Sequence, residues 1–117
     1  MTEKHNPGKT TLSPDVLVTI ARMAVLSVEG VSHMAAVPVR VNRLLRRTIK
    51  DGVEISVEDG VVYLDLYLIL KPDVNVREVS RNAQHQVARA ISEMIGMEVG
   101  HVNIHIEDID YGPAYAA

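Results

Sequence analysis

Cysteine, phenylalanine and tryptophan are absent from this 117-residue chain, and each absence closes off a class of explanation. Without cysteine there are no disulfides, no thiolate metal sites and no thiol nucleophile, a usage that fits an intracellular protein. Aromatic residues make up 3% of the chain and apolar residues 47%, so Val, Ile, Leu, Met and Ala must build the core. No apolar run approaches the roughly 20 residues of a membrane-spanning helix. The longest, Val61–Leu70, is interrupted by Asp65. The net charge of −3 provides no global field for nucleic acid or membrane. Charge is segregated instead. Residues 40–50 carry Arg40, Arg43, Arg46, Arg47 and Lys50 with no acid, and residues 51–70 carry Asp51, Glu54, Glu58, Asp59 and Asp65 with no base. Such a division can let two elements of one fold attract each other.

What is present reads as one domain over residues 12–110, between a disordered tail (1–11) and a flexible C-terminus (111–117). Ser13-Pro14-Asp15 has a hydroxyl N-cap, proline at N1 and an acid in the first turn of a helix. Its apolar stripe would be Val16, Ile20, Met23, Ala24 and Ser27 or Val28, widened by Leu17 and Ala21, and Glu29-Gly30 would stop it. Val31–Val39 reads as a linker or short edge segment, and Arg40–Lys50 as a short basic amphipathic helix dependent on tertiary packing. Val53–Glu58 and Val61–Leu70 alternate around Asp59-Gly60, which predicts a two-residue type I′ hairpin. That turn sets Glu54 directly opposite Asp65.

A long helix follows, capped by Asn75 and Glu78, with Val76, Val79, Ala83, Val87, Ala90, Ile91 and Met94 in its stripe and Gly96 as its stop. His101–Glu107 alternates as a last strand. The order helix, helix, strand, strand, helix, strand predicts an α+β two-layer sandwich, a small three-stranded sheet with helices on one face. If the last strand lies parallel beside Val61–Leu70, the long helix is a right-handed crossover.

The same register assigns Glu54, Ser56, Tyr63, Asp65, Tyr67, His101, Asn103, His105 and Glu107 to the outer face of the sheet. Facing carboxylates cost stability unless a cation offsets them. A metal with a histidine ligand is one reading; a nearby Arg or Lys is the plainer one. His101 and His105 are four strand residues apart, about 13 Å, too far to chelate one ion together. The chain contains no G-x-S-x-G, phosphate loop or HExxH motif, and one shallow sheet leaves little room for a substrate pocket. The expectation is a protein without enzymatic activity, cofactor or metal. Tyr and His among charges suit a partner surface, so Tyr63, Tyr67, His101 and His105 are candidate contact residues. Arg43, Arg46 and Arg47 form a second candidate surface. The alternative function is a small nucleic-acid-binding or regulatory module using Arg40–Lys50, although the helix lacks aromatics to stack on bases.

The run from Ile91 to Glu107, ending Val102-Asn103-Ile104-His105-Ile106, resembles the ending of the bacterial alkaline shock protein family, also called Gls-type or envelope stress response proteins. Ile20-Ala21 through Ser27-Val28-Glu29-Gly30-Val31 is similar to that family's first helix, and the likeness covers residues 13–109. The resemblance implies a cytoplasmic bacterial protein of cell envelope homeostasis and stress tolerance, without catalytic residues. It implies action through protein contacts and a homo-oligomer. It also implies a peripheral position at the inner face of the membrane through a membrane-anchored partner.

Overall fold

The structure is a computed structural model that describes residues 12–38 and 47–113. Its elements in order are α1 (Pro14–Leu26), β1 (Val31–Met34), β2 (Thr48–Lys50), β3 (Val53–Glu58), β4 (Val61–Leu70), α2 (Val76–Ile95) and β5 (Glu98–Ile109). This is the α+β architecture expected, with a sheet of five strands in place of three.

Strand β4 is the hub. Strand β5 runs parallel to it along one edge, from Val61↔Glu98 to Leu70↔Ile109, and α2 is the crossover between them. The other edge is shared end to end: β3 pairs antiparallel with Val61–Leu66, and β1 pairs antiparallel with Leu68–Leu70. At the junction the Ala35 N–H donates to the Tyr67 carbonyl, and the Tyr67 N–H donates to the Gly52 carbonyl. Strand β2 flanks β3 on the outside.

The hairpin has the predicted register, with Glu58↔Val61, Val57↔Val62, Ile55↔Leu64 and Val53↔Leu66. Asp59 and Gly60 have φ of 53° and 77°, the paired positive values of a type I′ turn. Asn75 caps α2, its Oδ1 accepting the Glu78 N–H at 3.0 Å, and the Gly96 N–H closes the other end on the Ile91 and Ser92 carbonyls.

Three expectations are narrowed or corrected. Of the two readings of Val31–Val39, linker or short edge segment, the second holds: Val31–Met34, with Ala35 beyond it, is an edge strand in the sheet. The basic helix does not extend to Lys50. Thr48–Lys50 is a strand, turned into β3 by Asp51-Gly52 with φ of 53° and 79°, a second Asp-Gly turn of the same kind. Two β-branched residues, Thr48 and Ile49, next to that turn favour strand pairing over a short helix with little stability of its own. Residues 39–46 of that predicted helix lie outside the described residues.

The third correction concerns helix faces. In α1 the buried residues are Leu17, Val18, Ala21 and Val25, while Val16 and Met23 are exposed. Apolar residues surround this helix, so periodicity alone could not fix its rotation. Ser13 occupies the N-cap without a side-chain hydrogen bond. In α2 the buried line is Val79, Ala83, Val87 and Ile91, with Val76 and Met94 exposed at its ends.

Both helices pack on one face of the sheet, against Val53, Ile55, Val62, Leu64, Leu66, Leu68, Leu70 and Val102. That side is the core. The opposite side carries the polar residues.

Candidate functional site: the polar face of the sheet

Pairing of β3, β4 and β5 stacks the outer-face residues in three rows across the strands. One row is Ser56–Tyr63–His101, the next Glu54–Asp65–Asn103, and in the third Tyr67 pairs with His105. The parallel β4–β5 register makes this possible, because it sets each histidine beside a tyrosine. The Tyr67 and His105 rings stack at 4.4 Å and 11°, and the Tyr63 and His101 rings meet at 4.9 Å with a tilt of 55°. All four sheet-face candidates therefore come together on one surface, in two ring pairs.

The facing carboxylates sit between the ring pairs, and each has its own donors. Asp65 Oδ1 accepts from His105 Nε2 at 2.9 Å and from Asn103 Nδ2 at 3.2 Å. A carboxylate of this kind can only accept, so the histidine nitrogen facing it carries the proton. Glu54 is only 2% exposed, and its Oε2 accepts from the Arg47 guanidinium. That hydrogen bond, chiefly, raises the Arg47 pKa above its ordinary value. The plainer of the two expectations, a neighbouring cation, accounts for the pair. Among the described residues, no group of three or more His, Asp or Glu side chains is placed to hold a metal ion.

Arg47 was expected in a basic helix as part of a contact surface with Arg43 and Arg46; it instead bonds Glu54 from irregular chain just before β2. Arg43 and Arg46 lie outside the described residues. The segregated charges thus act partly within the fold, through Arg47–Glu54, while Lys50 makes a weak exposed pair at 3.8 Å with Asp15 of α1.

Beside the central row lies a cleft of about 230 Å³ lined by Arg47, Glu54, Ser56, Glu58, Tyr63, Asp65 and His101. Sequence reasoning found most of these residues but not the cleft. Its wall depends on Gly100, at the β5 bulge opposite Val62 and Tyr63, where any Cβ would stand 2.2 Å from the Tyr63 ring. Glycine lets the ring lie over the strand. The glycine directly before the alternating run His101–Glu107 was a visible signal of such a close approach.

Tyr67 supplies a pH dependence. Burial, first, and then the charges of Glu54, Asp65 and Glu107 raise its phenol pKa above the ordinary value. The neutral phenol is therefore favoured in the fold, and its contribution is complete below about pH 10, the pKa of an unfolded tyrosine. It is lost as pH rises through the higher folded value. Urea midpoints measured across this range should fall more steeply for the native chain than for Tyr67→Phe.

The comparisons with known proteins bear on what this face serves. The sequence pattern of the alkaline shock protein family, a family described as having a cell envelope-related function, matches residues 2–111. The chain belongs to that family. Among its relatives is the Streptococcus pyogenes protein Spy1535, 35% identical over 103 residues, covering 87% of this chain and 79% of the relative. A second S. pyogenes protein, Spy1614, is 30% identical over 115 residues, covering 93% of this chain and 95% of the relative. The Bacillus subtilis protein YqhY is 27% identical over 112 residues, covering 93% and 82%. No solved structure matches. Family membership confirms the resemblance drawn from the first helix and the last strand, and gives the chain a cell envelope-related function. Among the described residues, no helix is long and apolar enough to cross a membrane.

Proposed function

We propose that this chain is a non-enzymatic interaction protein of the bacterial cell envelope, acting in envelope homeostasis and stress response through protein contacts and self-association. It works in the cytoplasm, peripheral to the inner face of the membrane, where a membrane-anchored protein holds it. The observation that carries this reading is the arrangement of the outer sheet face. Two tyrosine–histidine ring pairs flank a carboxylate row on the face opposite the helices, with His101 exposed, Tyr63 and His105 half-buried and Tyr67 buried. Aromatic residues among polar groups are what protein interfaces enrich. The adjoining cleft is smaller than the roughly 300–1,000 Å³ of small-molecule pockets, which favours contact over turnover.

The test is affinity recovery from separate membrane and soluble fractions, with light scattering of the purified protein. Native protein should self-associate and recover a membrane-anchored protein, and Tyr63→Ala with His101→Ala should lose both. A monomer that instead recovers RNA or DNA, released by salt, would overturn the reading in favour of nucleic-acid binding by the basic stretch.

A further inference from the structure

Among the described residues, the cleft on the polar sheet face holds one buried acceptor without a donor. Glu54 is 2% exposed and lines the cleft, yet its Oε1 is buried without a hydrogen-bond partner among the described residues. Arg47 satisfies only Oε2. The Tyr67 hydroxyl interacts with the Glu54 carboxylate, but without hydrogen-bond geometry at Oε1. A buried carboxylate oxygen without a donor is costly, and more so for a charged group.

The lining is also unbalanced in charge. Among the described residues it holds three acids, Glu54, Glu58 and Asp65, against one cation, Arg47. Glu54 and Asp65 are directly paired across the strands, with Cβ atoms about 5 Å apart in such a pairing. Glu58 is exposed on the same face of β3, about 13 Å along the strand from Glu54. Ser56 lies between them, and the Tyr63 and His101 rings form a wall. The site thus offers a buried acceptor, a second carboxylate beside it, an exposed carboxylate near the hairpin end, and an aromatic wall.

We propose that this cleft receives the guanidinium of an arginine side chain presented by a protein partner. The inference rests on reading the polar face as a contact surface. Guanidinium is the cation that matches the lining best: it is planar, its donors are arranged as a fork for carboxylates, and it stacks on aromatic rings. It is also weakly hydrated, so it enters a partly buried site at lower cost than an ammonium. The cleft volume of about 230 Å³ admits a side-chain head rather than a drug-sized molecule.

The experiment titrates full-length protein with arginine amide, following backbone amides by NMR. Citrulline amide, the neutral analogue of the same shape, and lysine amide are run in parallel. Arginine amide should give saturable shifts centred on Ser56, Tyr63, Asp65 and His101, with Kd on the order of 1 mM. Lysine amide should bind more weakly and citrulline amide should not saturate. Glu58→Gln, an exposed change that leaves the core intact, should weaken arginine amide about two- to fivefold. It should also weaken recovery of the protein partner. Equal shifts with citrulline amide, or saturable shifts elsewhere on the surface, would overturn the proposal. Arginine amide that fails to bind while Tyr63→Ala still abolishes partner recovery removes the cleft and leaves the contact face standing. Binding of arginine amide with partner recovery indifferent to Glu58→Gln rejects a protein as the source of the cation.

Discussion

Arg47→Ala should destabilise the protein by about 3–5 kcal/mol, the usual cost of removing one partner of a buried ion pair. The reason lies in Glu54. It is the one charged residue among the buried described residues, held at 2% exposure on a central row of the sheet. Its described donor is the Arg47 guanidinium, and Asp65 stands directly opposite. Once Arg47 is truncated, the carboxylate loses its counter-charge and still faces Asp65 across the strands. The penalty is therefore the cost of an uncompensated charge, not the net value of the pair. The two quantities separate in a double-mutant cycle. Glu54→Gln in the Arg47→Ala background should recover much of the loss, because a neutral amide does not need a counter-charge. Urea denaturation of the four proteins supplies the measurement. Equal losses for Arg47→Ala with glutamate or glutamine at 54 would show that the guanidinium stabilises by packing alone.

Gly52→Ala should produce the other large effect, and Gly60→Ala is its control. Both glycines follow an aspartate in a tight turn, with φ of 79° and 77°. An L side chain at such φ costs about 1–2 kcal/mol, and at Gly60 that is the whole expected loss, since nothing lies within 4 Å of the added Cβ. At Gly52 the same Cβ would stand 2.5 Å from the Ala35 carbonyl oxygen and 3.0 Å from the Met34 Cβ. The first of these is backbone. Moving it disturbs the place where β1 and β3 meet end to end, at the Tyr67 hydrogen bonds. The difference between the two urea midpoints measures this close approach. Matching midpoints would mean that β1 yields without loss.

The hairpin register was legible from the sequence because Asp59-Gly60 and strict alternation specify the same pairing. The α2 boundaries were legible from Asn75 and Gly96, and the family from the first helix and last strand. The basic segment was less so. Its arginines at helical spacing suggested a helix, while the local strand signal was only Thr48, Ile49 and the Asp51-Gly52 turn. β1 was hidden for a different reason. Four residues that pair with the far end of β4, some 35 positions later, leave no local mark of a non-local contact. The rotation of α1 was set by packing among many apolar choices. For the polar face, alternation identified which residues share a surface. It could not show that Arg47 joins them from outside the strands, nor that a glycine at 100 lets a tyrosine ring form the wall of a cleft.

The central position of β4 has a consequence for synthesis. Emerging from the ribosome, the first 60 residues contain α1, β1, β2 and β3, but among these strands only β2 and β3 pair with each other. Strand β1 has its partner in Leu68–Leu70, and β3 completes its ladder only against Val61–Leu66. The apolar side of α1 thus waits for a sheet that does not yet exist. Once β4 is released, β1 and β3 can dock along one of its edges; β5 must still follow after the whole of α2. A nascent chain held before residue 61 would present α1 and an unfinished hairpin to chaperones, and one held after residue 70 would carry most of the sheet with one edge of β4 still open.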